Sequence, residues 1–540
     1  MTVLNRLRHL SLVKQNTIFS ASLVLAITFV FSAILGFLRS RFLYAHFFSC
    51  CALELDAYTA AFRLPDLIFK LLVTGALSAS FIPVFSSYLH KDKKQADLVA
   101  STVITLLFFV FLLAAVILLI FTRPFSELIA QGFSPYQIDL MVNLTRILLI
   151  AQIFFLLSNF ITAILQVHQV FIVSALSPII YNFFIILSIF TLAPVFGIYG
   201  VVYGAVVGAF FHLAIQIPIV KKIGFNYTFS LKHRLEGVRE VIRLMLPRSL
   251  SLGLSEIENT VTLFFASGLI AGSISLLNLA MQIMYLPSRI FATTVGQASL
   301  PILSKNVAQN KLENFKNIVV NTLMQSLFIA LPVATIFLVN RLAIVRIAFG
   351  AKQFPWEATL ITAKTLAFLS PAIVCQAIIQ ILVRSFYALH DTRTPMKISF
   401  VSLLANVVAS FYLVNFTDLG IIGLAFSVSL ANLVQCFGLV IFFGRKVNGI
   451  NWSVILSQFN RILLASIIMG LVTWVTIKSL DIYLLDTART INVINIFIIS
   501  SVLGFVSYLI SIKMFKVEQL QDYQKYYQKF KNRLSNSVNK

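Results

Sequence analysis

Apolar runs of about 20 residues, separated by short polar turns, recur along the whole chain. An α-helix of about 20 residues spans the roughly 30 Å hydrocarbon core of a bilayer. The pattern predicts helices near 17–38, 56–89, 96–121, 137–165, 170–192, 197–220, 241–270, 273–303, 317–339, 357–383, 396–415, 420–443, 462–480 and 490–512. The runs do not alternate with a period of two and do not stop after ten residues, which argues against an outer-membrane β-barrel. The expected fold class is an all-α polytopic membrane protein with about fourteen transmembrane helices.

The pattern also repeats. Gly197-Ile198-Tyr199-Gly200 returns 223 residues later as Gly420-Ile421-Ile422-Gly423, while His168 and His390 are 222 apart, as are Leu64-Pro65 and Leu286-Pro287. Three matches at nearly one offset point to a duplicated six-helix unit. Six is even, so both copies enter the membrane in the same direction, as parallel repeats do, with a substrate route expected between the lobes. The organisation read this way is an N-terminal lobe (1–220), a basic cytoplasmic linker (221–243), a C-terminal lobe (244–443), two extra helices (444–512) and a basic cytoplasmic tail (513–540). The extra helices are available for a separate task, such as a groove for a lipid tail. Gly197, Gly200, Gly204 and Gly208 give the sixth helix a small-residue face for close packing.

Composition agrees: 59% of residues are hydrophobic, 11% are charged and 51 are Phe. The net charge of +23 would suggest nucleic acid in a soluble protein. Here most of the 42 Lys and Arg residues fall on one side of the membrane if the N-terminus is cytoplasmic, as the positive-inside rule requires. The chain is therefore expected in a cytoplasmic membrane with both termini inside and no nucleic-acid partner. Arg6, Arg8 and Lys14 precede the first apolar run as in a signal peptide, but that run continues too far and predicts an uncleaved helix. In the basic connection Lys221 to Arg243, the stretch LKHRLEGVREVIRLMLP is expected to form a surface helix that attracts anionic lipid headgroups. Cys50, Cys51, Cys375 and Cys436 show no metal-ligand spacing and are read as free thiols, the adjacent pair being poorly placed for a disulfide. The histidines are scattered, and no metal site is expected.

Charges inside the apolar runs carry the chemistry. The stretch DAYTAAFRLPDLIFKLLVTGALSASFIP contains Asp56, Arg63, Asp66 and Lys70. Each costs about 2.5–3.5 kcal/mol at a helix centre on insertion scales, so such groups normally face a bundle interior or a hydrated cavity. This helix is expected to wall a polar pathway. Arg39 and Arg41, at the outer end of the first helix, are either interface anchors or the upper lining of the same cavity. Glu256 and Glu258 interrupt the seventh helix; about 200° apart, they cannot both face one ligand. They are read either as a coupling-ion or proton site or as a structural ion pair, with Arg248 on roughly the face of Glu256. Asn406 offers a neutral oxygen to such a site. No phosphate-binding P-loop is present, which argues against direct use of ATP.

The stretches SAILGFLRSRF and LDAYTAAFRLPDLIFKLLVTGALSASFIPVF, followed by RIAFGAKQFPWEAT and FYALHDTRTP, together resemble the MurJ (MviN) lipid II flippase family of the MOP exporter superfamily. The resemblance implies alternating access that moves an undecaprenyl-diphosphate-linked peptidoglycan precursor (lipid II) from the inner to the outer leaflet for cell-wall synthesis. It implies a transporter without a cofactor, coupled to a Na+ or H+ gradient or to membrane potential. A monomer among membrane lipids, with cell-wall synthesis proteins as further partners, fits the same picture. Arg39 and Asp56 fall where the family has a functionally important arginine and aspartate. Arg39, Arg63 and Lys70 are the candidate diphosphate partners, since guanidinium groups bind phosphate oxygens bidentately and lysine adds a point charge. The chain departs from the family pattern with Ala33, Phe69 and Gln282 at usual arginine positions, so Arg41, Arg63 or Arg289 would have to compensate. Those departures keep open a flippase for another polyprenyl-diphosphate-linked glycan or a multidrug/ion antiporter of the same superfamily. A polyprenyl-diphosphate glycosyltransferase would need a sizeable external loop with catalytic acids, and only Asp481 and Asp486 stand out there. A non-transporting scaffold has only the basic tail in its favour.

Overall fold

The computed structural model describes residues 18–74, 77–288, 294–350, 354–447, 449, 451–487 and 489–520. The chain divides into two compact units, Met1–Ser275 and Leu276–Lys540. Ten helices among the described residues are long and apolar enough to cross a membrane. The other four expected spans are the first, second, seventh and eighth, and these hold most of the charged candidates.

Unit 1 contains α1 (Ile18–Ala61), α2 (Arg63–Phe69), α3 (Ile82–Lys91), α4 (Lys93–Ile120), α5 (Thr122–Ile129), α6 (Pro135–Val167), α7 (Ile172–Thr191), α8 (Ala193–Phe196), α9 (Ile198–Ala214), α10 (Ile217–Lys222), α11 (Glu236–Ser267) and the start of α12 (Ser273–Pro287). α1 holds the first span and the start of the second, with a kink at Cys51 (φ −144°, ψ 44°). The kink accompanies a correction: the sulfurs of Cys50 and Cys51 are bonded to each other rather than free. In a continuous helix adjacent side chains diverge by about 100°, and the non-helical backbone at Cys51 removes that divergence. Cys375 and Cys436 are free and buried.

The scaffold of unit 1 packs through its small residues. Gly200, Gly204 and Gly208 of α9 face Leu192, Ser188 and Tyr181, and a Cβ on Gly204 would lie 2.0 Å from the Ser188 hydroxyl oxygen. The expected close face is therefore an interface with α7. α6 lies on the other side of α9, where Ser158 accepts from Gln216 Nε2 at 2.7 Å and its hydroxyl meets His212 Nδ1 at 2.6 Å. This network satisfies polar groups that would otherwise be stranded in an apolar bundle.

Unit 2 contains α13 (Thr294–Ala308), α14 (Leu312–Val339), α15 (Arg341–Phe349), α16 (Trp356–Ala388), α17 (Arg393–Phe416), α18 (Gly420–Lys446), α19 (Trp452–Tyr483) and α20 (Thr490–Met514). α16, α17 and α18 pack together as α6, α7 and α9 do, and α19 and α20 pair with each other beside α14 and α15. The duplication reaches the backbone. Gly197 (φ 57°), just before α9, and Gly420 (φ 49°), the first residue of α18, take left-handed conformations, and Gln169 (φ 61°) and His390 (φ 57°) do so after α6 and α16. In both places the next N–H closes the helix end, Val170 to Leu165 O and Asp391 to Phe386 O, both at 2.9 Å. Beyond that cap, Asp391 accepts from the Thr394 N–H at 3.0 Å, from the Thr394 hydroxyl at 2.8 Å and from Lys446.

Two features differ from the sequence expectation. α11 belongs to unit 1, although the repeat assigns 244–443 to the second lobe; its polar ties to the second span, described below, account for the grouping. The surface helix expected over LKHRLEGVREVIRLMLP begins only at Glu236, and residues 225–230 run without helix against α4. The hydrogen-bonding side chains on the first turns of α4 hold this segment extended.

Candidate functional site

The second span is not a regular helix. Pro65 lies in α2, and after Phe69 the chain widens into two π-helical stretches, Lys70–Thr74 and Leu77–Phe81. Wide turns displace backbone groups from the i to i−4 ladder and are frequent at functional sites. Here the Ser249 hydroxyl of α11 donates to Leu71 O at 2.6 Å. Two turns further along α11, Lys70 Nζ meets Glu256 Oε1 at 2.8 Å, with the carboxylate side chain only 9% exposed. Glu256 is thus the partner of Lys70. The Arg248 side chain, offered as its partner by the sequence, lies outside the described residues.

Asp66 completes the group. Its Oδ1 accepts from Gln152 Nε2 of α6 at 2.9 Å, and it lies in the electrostatic field of Lys70, Arg63 and Glu256. Arg63 is half-buried, and its buried Nε has no hydrogen-bond partner among the described residues. Arg39, half-buried on α1, acts electrostatically on the hydroxyls of Tyr58 and Tyr181, and Tyr181 also feels Asp66. Neither Arg39 nor Arg63 forms an ion pair within 4.0 Å among the described residues. The fold therefore gathers Arg39, Arg63 and Lys70 with Asp66, Glu256, two tyrosines and Gln152 inside unit 1. Two of its three cations have no carboxylate partner among the described residues, an arrangement suited to an anion.

Asp56 sits elsewhere in the same unit and has different partners. It is 3% exposed, and its oxygens accept from the N–H of Gly272 at 2.7 Å, the N–H of Ser275 at 2.8 Å and the Ser275 hydroxyl at 2.6 Å. It caps the start of α12, where free N–H groups and the helix dipole favour a carboxylate. Gly272 has φ +90° and packs on Phe48 and Ala52, and a Cβ there would lie 2.9 Å from the Phe48 ring. The Tyr44 hydroxyl donates to Ser275 O at 3.2 Å, and the Gly132 N–H donates to the Ser267 hydroxyl at 3.1 Å. These contacts latch the turn between α11 and α12 onto the ends of the first two spans and the loop before α6.

The other candidates are dispersed. Arg41 is half-buried on α1, and Arg289 lies outside the described residues. Glu258 is half-buried, and its carboxylate makes no hydrogen bond or ion pair among the described residues. Asn406 is fully buried in α17; its Oδ1 accepts from Ser410 at 3.3 Å, and its Nδ2 has no partner among the described residues. At the positions lacking the usual arginine, Ala33 and Gln282 are half-buried, and Phe69 makes an edge contact with Phe155. Among the described residues no group of His, Cys, Asp or Glu could hold a metal ion. Gln152, Tyr58 and Tyr181 were not singled out from sequence, because neutral residues in apolar helices give no signal until folding sets them beside charges. Asp66 carried one: Arg63 and Lys70 lie three before it and four after it, on one helical face.

A duplicated helical bundle with a cationic cluster inside one unit defines a polytopic membrane transporter. A family model described as "Lipid II flippase MurJ" matches residues 44–491. The probable lipid II flippase MurJ of Bdellovibrio bacteriovorus is 28% identical over 65% of this chain and 69% of its own length. That of Rickettsia prowazekii is 27% identical over 76% of this chain and 81% of its own. Among solved structures, "Lipid II flippase MurJ, inward closed conformation" aligns with 92% of this chain and 100% of that one, at TM-score 0.75 and 26% identity. An inward-facing MATE multidrug transporter of the MOP superfamily shares the fold at TM-score 0.62 and 15% identity, over 76% of this chain and 94% of its own. The chain belongs to the MurJ lipid II flippase family, as the sequence motifs implied, and is a transporter rather than an enzyme.

Proposed function

We propose that this protein carries lipid II from the inner to the outer leaflet of the bacterial cytoplasmic membrane, with Arg39, Arg63 and Lys70 receiving the diphosphate. The observation that supports this most directly is the set of cations inside the membrane region, with Arg39 and Arg63 free of carboxylate partners among the described residues. A diphosphate can satisfy both guanidinium groups bidentately, which offsets their desolvation. Lys70 is already paired, so it reaches the substrate by exchanging Glu256 for phosphate. Arg63 and Lys70 then supply charge that Phe69 lacks at a usual arginine position.

Transport proceeds by alternating exposure of this site to the two leaflets. The Asp56 latch at the start of α12 is the contact that must break and reform in each cycle. Glu256 is occupied by Lys70, which leaves Glu258 as the acid free to take up a proton or a cation from the coupling gradient. The distribution of Lys and Arg supports cytoplasmic termini.

Leaflet translocation of defined lipid II, measured in cells depleted of their own flippase, tests this. Restored transport that is lost in well-inserted Arg39→Ala and Arg63→Ala variants is the expected result. Failure of the well-inserted parent protein would redirect the assignment to another polyprenyl-diphosphate-linked glycan.

A further inference from the structure

Between α10 and α11 the chain FNYTFSLKHRL forms a strap along α4. The Asn226 N–H donates to Asp97 Oδ2 at 3.3 Å, the Thr228 N–H to the Ser101 hydroxyl at 3.1 Å, and the Thr102 hydroxyl to that of Ser230 at 2.9 Å. The Tyr227 and Thr105 hydroxyls meet at 2.8 Å. Successive residues of an extended segment point to opposite sides, so Tyr227, Phe229 and Leu231 share one side of the strap; Phe229 and Leu231 turn outward, and the Tyr227 ring is exposed while its hydroxyl reaches back to α4. They are 53%, 67% and 50% exposed. The Phe229 ring makes an edge contact with Phe109, which with Val110 and Leu113 belongs to the exposed apolar face of α4.

Length sets the level of the strap. α4 has 28 residues, about 42 Å at 1.5 Å each, whereas the hydrocarbon core is about 30 Å thick. The excess of about 12 Å, roughly eight residues, belongs at the N-terminal end, where Lys93, Lys94 and Asp97 lie, since the last turns of α4 carry no charge; Asp97 then lies beyond the hydrocarbon, Ser101 at its edge and Phe109 within it. The exposed Tyr227, Phe229 and Leu231 occupy the boundary, where amphipathic and aromatic side chains are most stable. Lys232, His233 and Arg234 follow at once in a tight turn, the His233 N–H bonding Leu231 O at 2.7 Å. Lys221 and Lys222 precede the strap, and all five residues are exposed. None forms an ion pair among the described residues, and Asp97 is engaged by the strap backbone. Glu236 and Glu240 are the exposed carboxylates on the first turn of α11.

We propose that this strap is a binding site for an anionic phospholipid, its headgroup held by Lys232 and Arg234 and its acyl chain lying on Leu231, Phe229 and Phe109. Charge and apolar surface meet there as they do in an anionic amphiphile. A soluble protein partner could reach the cations but not Phe109, which faces hydrocarbon. The site is separate from the cationic cluster around Arg63 and uses none of its residues.

The test uses the full chain carrying Phe229→Trp, reconstituted in mixed phosphatidylglycerol–phosphatidylcholine nanodiscs in which one or the other lipid is brominated near the headgroup. Relative to the parent chain, brominated phosphatidylglycerol is expected to quench the added tryptophan at least about twofold more than brominated phosphatidylcholine at equal mole fraction. Lys232→Gln with Arg234→Gln should abolish that preference; at about fivefold per cation, the loss in affinity is roughly 30-fold. Equal quenching by the two lipids would overturn the site, because the strap would then touch the bilayer without selecting a headgroup. Absence of quenching would overturn it by placing the strap in water. Loss of the preference on adding inorganic phosphate would show a phosphate site rather than a lipid one, and would also overturn it.

Discussion

Asp56→Ala is the sharpest perturbation of the latch. Asp56 supplies the acceptor for two buried N–H groups, those of Gly272 and Ser275, and for the Ser275 hydroxyl. Each buried N–H left without a partner costs about 1–3 kcal/mol, so the two amides alone cost the variant roughly 2–6 kcal/mol locally. At about 1.4 kcal/mol per decade, even the lower bound makes opening of this turn roughly 30-fold more frequent. Amide hydrogen exchange at Gly272 and Ser275 reads that opening directly, with peptides from α9 as the internal control. Asp56→Asn keeps one acceptor oxygen and is expected to show a smaller increase, about fivefold for the loss of about 1 kcal/mol. Exchange within about twofold of the parent in Asp56→Ala would refute the claim that this carboxylate holds the Gly272–Ser275 turn.

Other outcomes follow from the same contacts. Lys70→Met leaves Glu256 buried without its partner and should lower thermal stability, by less than the 3–5 kcal/mol of a fully buried pair because Lys70 is 38% exposed. Adding Glu256→Gln should recover much of the loss, and a double-mutant cycle showing no coupling would remove the ion pair from the account. Burial pushes the Asp391 carboxyl up, but bonds from Lys446 and Thr394 outweigh this and bring it down to about 2. A depressed pKa stabilises the folded state above the unfolded value near 3.8, and that stabilisation is lost as pH falls from about 4 to about 2. Local exchange after α16 should therefore rise over that window, and Asp391→Asn should remove the pH dependence. Gly132→Ala places a Cβ 2.3 Å from the Gly268 Cα; separating the two backbones should cost about 1–3 kcal/mol and raise exchange around Ser267.

The hydrophobic pattern determined the all-α membrane class and the approximate positions of ten spans, because a bilayer imposes one length and one polarity on every crossing helix, and motif matches at one offset indicated the duplication. The repeat read from Gly197 and Gly420 proved to be a repeat of backbone conformation, since a left-handed turn restricts its residues locally. Arg39, Arg63 and Lys70 stood out because charge is costly in apolar runs, and no partner had to be known to notice them. What each charge does was decided only by tertiary structure. Asp56 and Asp66 look alike in sequence, yet one caps a helix more than 200 residues away in the chain and the other joins the cationic cluster. Glu256 and Glu258 differ as sharply, for two residues along a helix is a rotation of about 200°, and only the former reaches Lys70. The bonding of Cys50 to Cys51 and the extended strap beside α4 escaped the sequence for a common reason. Each depends on a local departure from helix: a kink at Cys51 in one case, and hydroxyl and carboxylate partners on another helix in the other. Periodicity records which surface a residue prefers, whereas its partners are set by which surfaces the folded chain brings together.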